Sequence, residues 1–356
     1  MNPLRRRAVL LAPAAGLAVR PAAAAEPLRV AFVYVSPIGT AGWSYQHELG
    51  RRGVDAAFGD AVKTSYVENV AEGETAERVI RKLAADGNGL IFTTSFGYMN
   101  PTLKVATQFP KTRFEHATGY KRAANLATYS ARFYEGRYVA GIIAGHMTKS
   151  GTLGCVAAFP IPEVVQGINA LILGARTVNA KAQLKIAWTS NWFDPAGEHA
   201  AAIALIAAGA DLLTHHTDST SVAETCEQKG VWSIGYHSDQ SKIAPRTSLT
   251  SVTHVWTEYY PARVKAALDG SWKPVDTWGG MSAGMIKLAP VNAAVPEAVR
   301  AEADAATALI VAGRLKPFQG PIADQNGKPR VAGGAAIADK DILEMKWFSE
   351  GVQVMP

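Results

Sequence analysis

Short runs rich in Val, Ile and Leu alternate with helical patterns along most of the chain, and this rhythm restricts the fold more than any single residue does. Leu28–Val35, Lys63–Val67, Gly89–Thr93 and Arg113–Ala117 read as strands, with helices at Trp43–Phe58, Thr75–Ala85 and Pro101–Gln108 between them. Leu126–Tyr129 reads as a connecting strand, and Glu135–Met147 as a long helix that stops near Ser150-Gly151. The alternation then restarts. Strands are expected at Leu153–Ala158, Gln183–Trp188, Asp211–Thr214, Val231–Tyr236 and Leu249–Thr253, and helices at Pro162–Val178, Pro195–Ala207 and Val222–Lys229. Continuous apolar strands separated by helices are the pattern of parallel sheets covered on both faces. The fold class is therefore α/β, with two lobes, each a parallel sheet flanked by helices. The helix Glu258–Leu268 and the strand Met285–Lys287 follow the second block and are most economically crossings back between the lobes. The expected division is 26–127 plus about 254–276 for one lobe, and 128–253 plus about 277–315 for the other. The Pro- and Gly-rich residues 316–356 form an irregular tail packed on the lobes.

Residues 1–25 have the three parts of a secretory signal peptide: Arg5-Arg6-Arg7, the apolar run Ala8–Val19, and Ala23-Ala24-Ala25 before Glu26. The apolar run is shorter than the roughly 20 residues a membrane span needs. No cysteine lies near the cleavage site, so the exported protein is expected free in the periplasm, not lipid-anchored. The formal charge of +6 includes Arg5, Arg6, Arg7 and Arg20 of this leader, which carries no acidic residue, and falls to +2 without it. No basic cluster interleaved with aromatics remains, and nucleic acid is not an expected partner. Cys155 and Cys226 read as two buried thiols, with a disulfide as the alternative that export would permit.

The familiar catalytic signatures are missing. There is no phosphate loop, no G-x-G-x-x-G after a strand, no G-x-S-x-G elbow and no zinc-binding H-E-x-x-H. Adjacent strand residues point to opposite faces, so His215-His216 is a poor chelating pair. No cofactor or metal is expected. What the chain does offer lies in the loops after the strands, where parallel α/β folds bind ligands. Four of six such loops carry an aromatic: Trp43 near Ser44, Phe96, Trp192-Phe193 and Trp256. The others carry His215-His216-Thr217-Asp218 and His237-Ser238-Asp239-Gln240. Aromatic faces from two lobes can sandwich a flat ring, with stacking worth roughly 1–3 kcal/mol per base in nucleic-acid systems. Polar groups such as Asp218, Asp239, His237 and Ser44 can then read its edge. Asp194 before Pro195 is better explained as a helix cap, and Glu135 as structural. The lack of arginine at the strand ends argues against carboxylate ligands.

Phe133-Tyr134-Glu135-Gly136-Arg137-Tyr138-Val139-Ala140-Gly141, Gly151-Thr152-Leu153-Gly154, Ile161-Pro162, Asn191-Trp192-Phe193-Asp194-Pro195, Gly235-Tyr236-His237-Ser238-Asp239-Gln240 and Thr250-Ser251-Val252 resemble the basic membrane protein family of ABC-transporter substrate-binding proteins. That family includes purine nucleoside receptors, and the resemblance covers nearly the whole exported chain. It implies a type I periplasmic binding protein that closes on a purine, works as a monomer and delivers its ligand to a membrane permease. Hinges are expected near 125–130, 250–255 and 275–285. Trp43 and Ser44 stand where the family has a stacking Phe and a base-reading Asn. Phe193 matches the second stacking aromatic. His237 replaces an Asp that holds ribose, and His254 replaces a Lys. With the bulk of Trp43 and Tyr236, these changes favour a free base over a nucleoside. Adenine stands ahead of hypoxanthine and guanine because Asp218 and Asp239 can accept from an exocyclic amino group. The ligand set implied is Trp43, Ser44, Phe96, Trp192, Phe193, Asp218, Tyr236, His237, Asp239 and His254. The alternatives are a nucleoside-binding receptor, a sensor's periplasmic partner, and a nucleoside hydrolase using Asp194, Asp218 and Asp239.

Overall fold

The computed structural model describes residues 26–356, so the signal-peptide reading of residues 1–25 lies outside it. The first lobe is laid down as β1 (Leu28–Val33), α1 (Trp43–Phe58), β2 (Val62–Val67), α2 (Glu74–Ala85), β3 (Leu90–Thr93), α3 (Met99–Gln108), β4 (Arg113–Ala117) and β5 (Leu126–Ala131). Then come α4 (Phe133–Met147), β6 (Thr152–Ala157), α5 (Pro162–Val178), β7 (Gln183–Trp188), α6 (Pro195–Ala207), β8 (Leu212–His216), α7 (Ser221–Lys229), β9 (Trp232–His237) and β10 (Ser248–His254). The rest is α8 (Tyr259–Leu268), β11 (Asp276–Gly279), β12 (Ile286–Leu288), α9 (Glu297–Val311), β13 (Ile322–Ala323), β14 (Pro329–Val331), α10 (Asp339–Leu343) and β15 (Val352–Val354).

Two large sheets result, ordered β11-β5-β4-β3-β1-β2 and β12-β10-β9-β8-β6-β7-β15, beside a small β13-β14 pair in the tail. Every pairing within the large sheets is parallel except β12 on β10. Both have the same winding: the opening strand has its successor on one side and the later strands on the other, and in the second sheet β15 adds one more strand outside β7. This is the doubly wound α/β arrangement, and each lobe has its switch point beside its opening strand.

Strand alternation explains the layering. Val30 and Phe32 of β1 pack with Val54 of α1 and with Tyr260 and Val264 of α8. Ala31 and Val33 face the opposite side, with Ile80 of α2 and Val105 of α3. In β6, Cys155 faces the α4 and α5 side, while Cys226 belongs to the α6 and α7 layer across the sheet. The two thiols are buried and unpaired because a sheet lies between them.

The chain passes between lobes three times. β5 pairs with β4 and β11, so the first crossing comes at Arg132, after the end of a strand that a boundary at 127 would cut. The second follows His254, and α8 packs back on α1. The third runs from β11 to β12, where Met281 N–H donates to a Glu135 carboxylate oxygen at 2.7 Å. Glu135 thus ties a crossing in place. The tail is more regular than its composition suggests. β15 adds an edge strand beside β7, and Phe318, Ile322, Ile342 and Met345 pack on Tyr134 of α4 and on Val165 and Ala170 of α5. Among the described residues no helix is long and apolar enough to cross a membrane.

Candidate functional site

The carboxyl ends of the two sheets face each other across a narrow slot, at the edge where parallel α/β folds bind ligands. The first lobe contributes Val35, Trp43, Ser95, Phe96 and Thr118, and the second contributes Ile161, Glu163, Trp192, His216, Thr217, Asp218 and His237. Through Phe96, Thr118 and Glu163 the slot opens onto a wider vestibule bounded by Tyr120, Trp278 and the tail. Among the described residues, all four non-glycine positions with positive φ lie at or just past a strand's carboxyl end: Asn69, Thr118, Ser190 and His237. Thr118 at 61° and His237 at 70° both line the slot. A β-branched residue rarely adopts that conformation, and such strain gathers where side chains are aimed at a site.

Asp218 joins the lobes. From the loop after β8 it accepts from the backbone N–H groups of Trp43 and Ser44 and from the hydroxyls of Ser36 and Ser44. Those N–H groups are the first of α1, whose own N-cap, Gly42, has no side chain to satisfy them. Asp218 therefore caps α1 from the opposite lobe. Burial pushes its carboxyl up to about 7, with the hydroxyl and amide donors working against that rise. Three further bonds cross the seam: Gly42 N–H to Ser238 Oγ at 2.7 Å, Gln46 Nε2 to the His254 carbonyl at 2.7 Å, and Trp192 Nε1 to Glu72 Oε1 at 3.2 Å. Glu72 also receives Ser95 Oγ and Gly97 N–H, which fixes the Phe96 loop beneath Trp192.

The expected site residues divide into three groups. Trp43, Phe96, Trp192, Asp218 and His237 line the slot. Trp43 lies at its wall, with the indole N–H donating to the Thr94 carbonyl at 2.6 Å and the ring edge-on to His237 and His254. Ser44, Tyr236 and His254 are buried behind it. Ser44 is part of the Asp218 latch, Tyr236 lies under the Arg137 guanidinium at 3.5 Å, and His254 packs on Phe133 with ring centroids 4.4 Å apart. Phe193 and Asp239 do not reach the slot. Asn191 Oδ1 accepts from Phe193 N–H and the Trp192 carbonyl accepts from Asp218 N–H, a turn that sends Trp192 inward and leaves Phe193 outside. Asp239 is exposed and accepts from Ser241 N–H, so it is no acceptor for a ligand in the slot. Asp194 caps α6 by accepting from Gly197 N–H at 3.0 Å, and Glu198 returns a bond to Asp194 N–H.

Sequence reasoning missed Glu163 and Thr118, and it placed His216 and Thr217 in a binding loop and Arg137 in a family motif without giving them a role at the site. Glu163 lies in the first turn of α5, after Ile161-Pro162, and its carboxyl has no hydrogen-bond partner, the nearest being His216 Nε2 at 3.6 Å. Burial pushes it up to about 8. Burial, then the nearby Arg137 charge, holds His216 well below the usual imidazole range, and burial with neighbouring histidines does the same for His237. Arg137 donates to Thr214 Oγ1 and to the His215 carbonyl, both at 2.6 Å, so its cation is engaged beneath the strand ends. Its only signal in the sequence was its place in the Phe133–Gly141 motif. The site is thus aromatic-walled, with carboxyl, hydroxyl and imidazole groups at its rim and no lysine or arginine in its lining.

A model of the family described as Bmp, ABC transporter substrate-binding protein PnrA-like, matches residues 28–315. The chain is 48% identical to a purine-binding protein of Brucella abortus, over 97% of this chain and 98% of that one. It is 39% identical to a putative ABC transporter glucose-binding protein of Haloferax volcanii, over 92% of this chain and 81% of that one. An ABC transporter solute-binding protein structure from Aeropyrum pernix superposes with a TM-score of 0.71 at 18% identity, covering 82% of this chain and 93% of the other, a likeness of fold. The two wound lobes, the interlobe slot and these matches agree: the chain belongs to the Bmp family, type I extracytoplasmic substrate-binding proteins of ABC transporters that carry small ligands to a membrane permease and are not enzymes.

Proposed function

We propose that this protein captures a free purine base, adenine ahead of hypoxanthine and guanine, in the interlobe slot and presents it to its permease from the periplasm as a monomer. The observation that carries the reading is the slot itself: narrow, lined by no lysine or arginine, and walled by Trp43, Phe96 and Trp192. A flat heteroaromatic ring suits such walls, and stacking supplies roughly 1–3 kcal/mol per base. Phosphates and carboxylates find no counter-ion, because Arg137 is engaged with strand β8. His237 lines the slot, at the position where the resemblance to nucleoside receptors implies a ribose-holding Asp. The printed name of the Brucella relative, a purine-binding protein at 48% identity, points the same way. With Asp239 at the surface and Asp218 engaged by α1, the acceptor left for an exocyclic amino group is Glu163.

Mass spectrometry of the small molecule released when the purified protein is denatured tests this, followed by titration with adenine, hypoxanthine, guanine, adenosine and glucose. Near-stoichiometric adenine with micromolar or tighter rebinding is expected. Equal affinity for adenosine would show that His237 does not exclude ribose. Glucose in the slot would overturn the purine reading.

A further inference from the structure

We propose that Glu163 reads the purine as a neutral acid, donating from its hydroxyl while accepting on its carbonyl, and that this makes it the residue that selects adenine over guanine. The inference rests on the purine reading above and adds to it a specificity device. Glu163 is the one carboxyl lining the slot that no protein donor engages: Asp218 is surrounded by α1, whereas Glu163 has only the Nε2 of His216, at 3.6 Å, beyond hydrogen-bond reach. Pro162 starts α5 and holds the following residue in the first helical turn, at the junction of slot and vestibule. A helix N-terminus favours the anion, yet burial outweighs it and leaves the carboxyl at about 8. No cation compensates, since Arg137 is stacked on Tyr236. His216 Nδ1 is buried without a partner, so the ring beside Glu163 stays neutral.

Each polar edge of free adenine sets a donor beside an acceptor: the amino group beside N1 or N7, and N9–H beside N3. A neutral carboxyl has the complementary pair, while a carboxylate only accepts and turns one oxygen toward a ring-nitrogen lone pair. Guanine has two adjacent donors, N1–H and the 2-amino group, which match the carboxylate. Guanine keeps a partner in either state, since N1–H beside O6 and N9–H beside N3 also suit the neutral acid, whereas adenine pairs fully only with the neutral acid. Ionisation of one side chain therefore shifts the preference from adenine toward guanine.

Other groups titrate nearby. Asp218, His216 and His237 face the slot, Arg137 and Tyr236 lie behind His216, and Lys340, Lys346, Glu344 and Asp276 border the vestibule. They alter lobe closure for every ligand alike, so the ratio of adenine to guanine affinity isolates Glu163.

The experiment measures both affinities by tryptophan fluorescence from pH 6 to 9 for the wild type, Glu163→Gln and Glu163→Ala. In the wild type the adenine-to-guanine ratio should be flat to about pH 7 and then fall, approaching tenfold per unit above about 8, as one linked proton requires. Glu163→Gln carries a permanent donor and acceptor. It should keep adenine within about threefold, with a ratio independent of pH. Glu163→Ala should lose at least tenfold for adenine with an unchanged melting temperature. A flat wild-type ratio, a slope that persists in Glu163→Gln, or full adenine affinity in Glu163→Ala overturns the proposal. A wild type that binds no purine at any pH overturns the purine reading and this inference with it.

Discussion

Asp218 does from across the cleft what an N-cap residue does within its own helix. An N-cap is worth about 0.5–2 kcal/mol, and here that energy is present only when the lobes meet. Replacing it with alanine should therefore weaken ligand binding about three- to thirtyfold while leaving urea unfolding of the unliganded protein nearly unchanged. A matched loss of stability would show that the contact is structural and not a latch. His116, near the carboxyl end of β4, tests burial within the first sheet. Its Nδ1 meets Thr93 Oγ1 at 3.0 Å, its Nε2 has no partner, and burial lowers its value to about 3. The folded value lies below the unfolded one, so its contribution to stability is complete above about pH 6.5 and is lost as pH falls toward 3. Relative to His116→Gln, the wild type should lose about 1.4 kcal/mol per pH unit below 6.5, about 2 kcal/mol by pH 5. Urea unfolding at several pH values gives this difference, and parallel curves for the two proteins would refute it.

Helices α4 and α5 show how glycine sets the approach of elements. A methyl group at Gly141 would strike the backbone of Leu171, and one at Gly174 the backbone of Tyr138, with no flexible side chain to yield. Either Gly→Ala change should cost about 1–3 kcal/mol through overpacking. Gly53 of α1 is the control: a methyl there would meet Thr257 O at an ordinary 3.5 Å. Gly53→Ala should be neutral or gain up to about 1 kcal/mol of helix propensity. Denaturant midpoints decide it, and equal effects at Gly53 and Gly141 would contradict the packing argument. The same pair of helices carries the tail, whose Phe318 and Met345 pack on them and whose β15 closes the edge of the second sheet.

At the scale of the molecule, three crossings join the lobes and one slot lies between them. A ligand that touches both lobes favours closure by its differential affinity for the closed state. Solution scattering should show the radius of gyration falling when adenine is added. The Asp218→Ala variant should be more open than the wild type at equal ligand. No change at saturating ligand would mean that the lobes do not move.

The alternation of apolar strands with helices was enough to imply two parallel α/β lobes, because burial on both faces leaves a continuous apolar run. Helix α1 was legible to the residue. The loops after the strands, and with them Trp43, Phe96, Trp192 and Asp218, were legible because parallel sheets bind ligands at that edge. The three-residue β12 and β15 are too short to carry a clear period, so the second was absent from the sequence reading. Which member of Trp192-Phe193 faces inward, whether Asp239 lies in the site or at the surface, and that Asp218 caps a helix more than a hundred residues away were not legible. Those outcomes depend on side-chain direction and on contacts between distant segments, which local pattern does not encode. Glu163 shows the same limit: its spacing marks a helix start, and only the folded cleft sets its carboxyl in the slot with no protein donor.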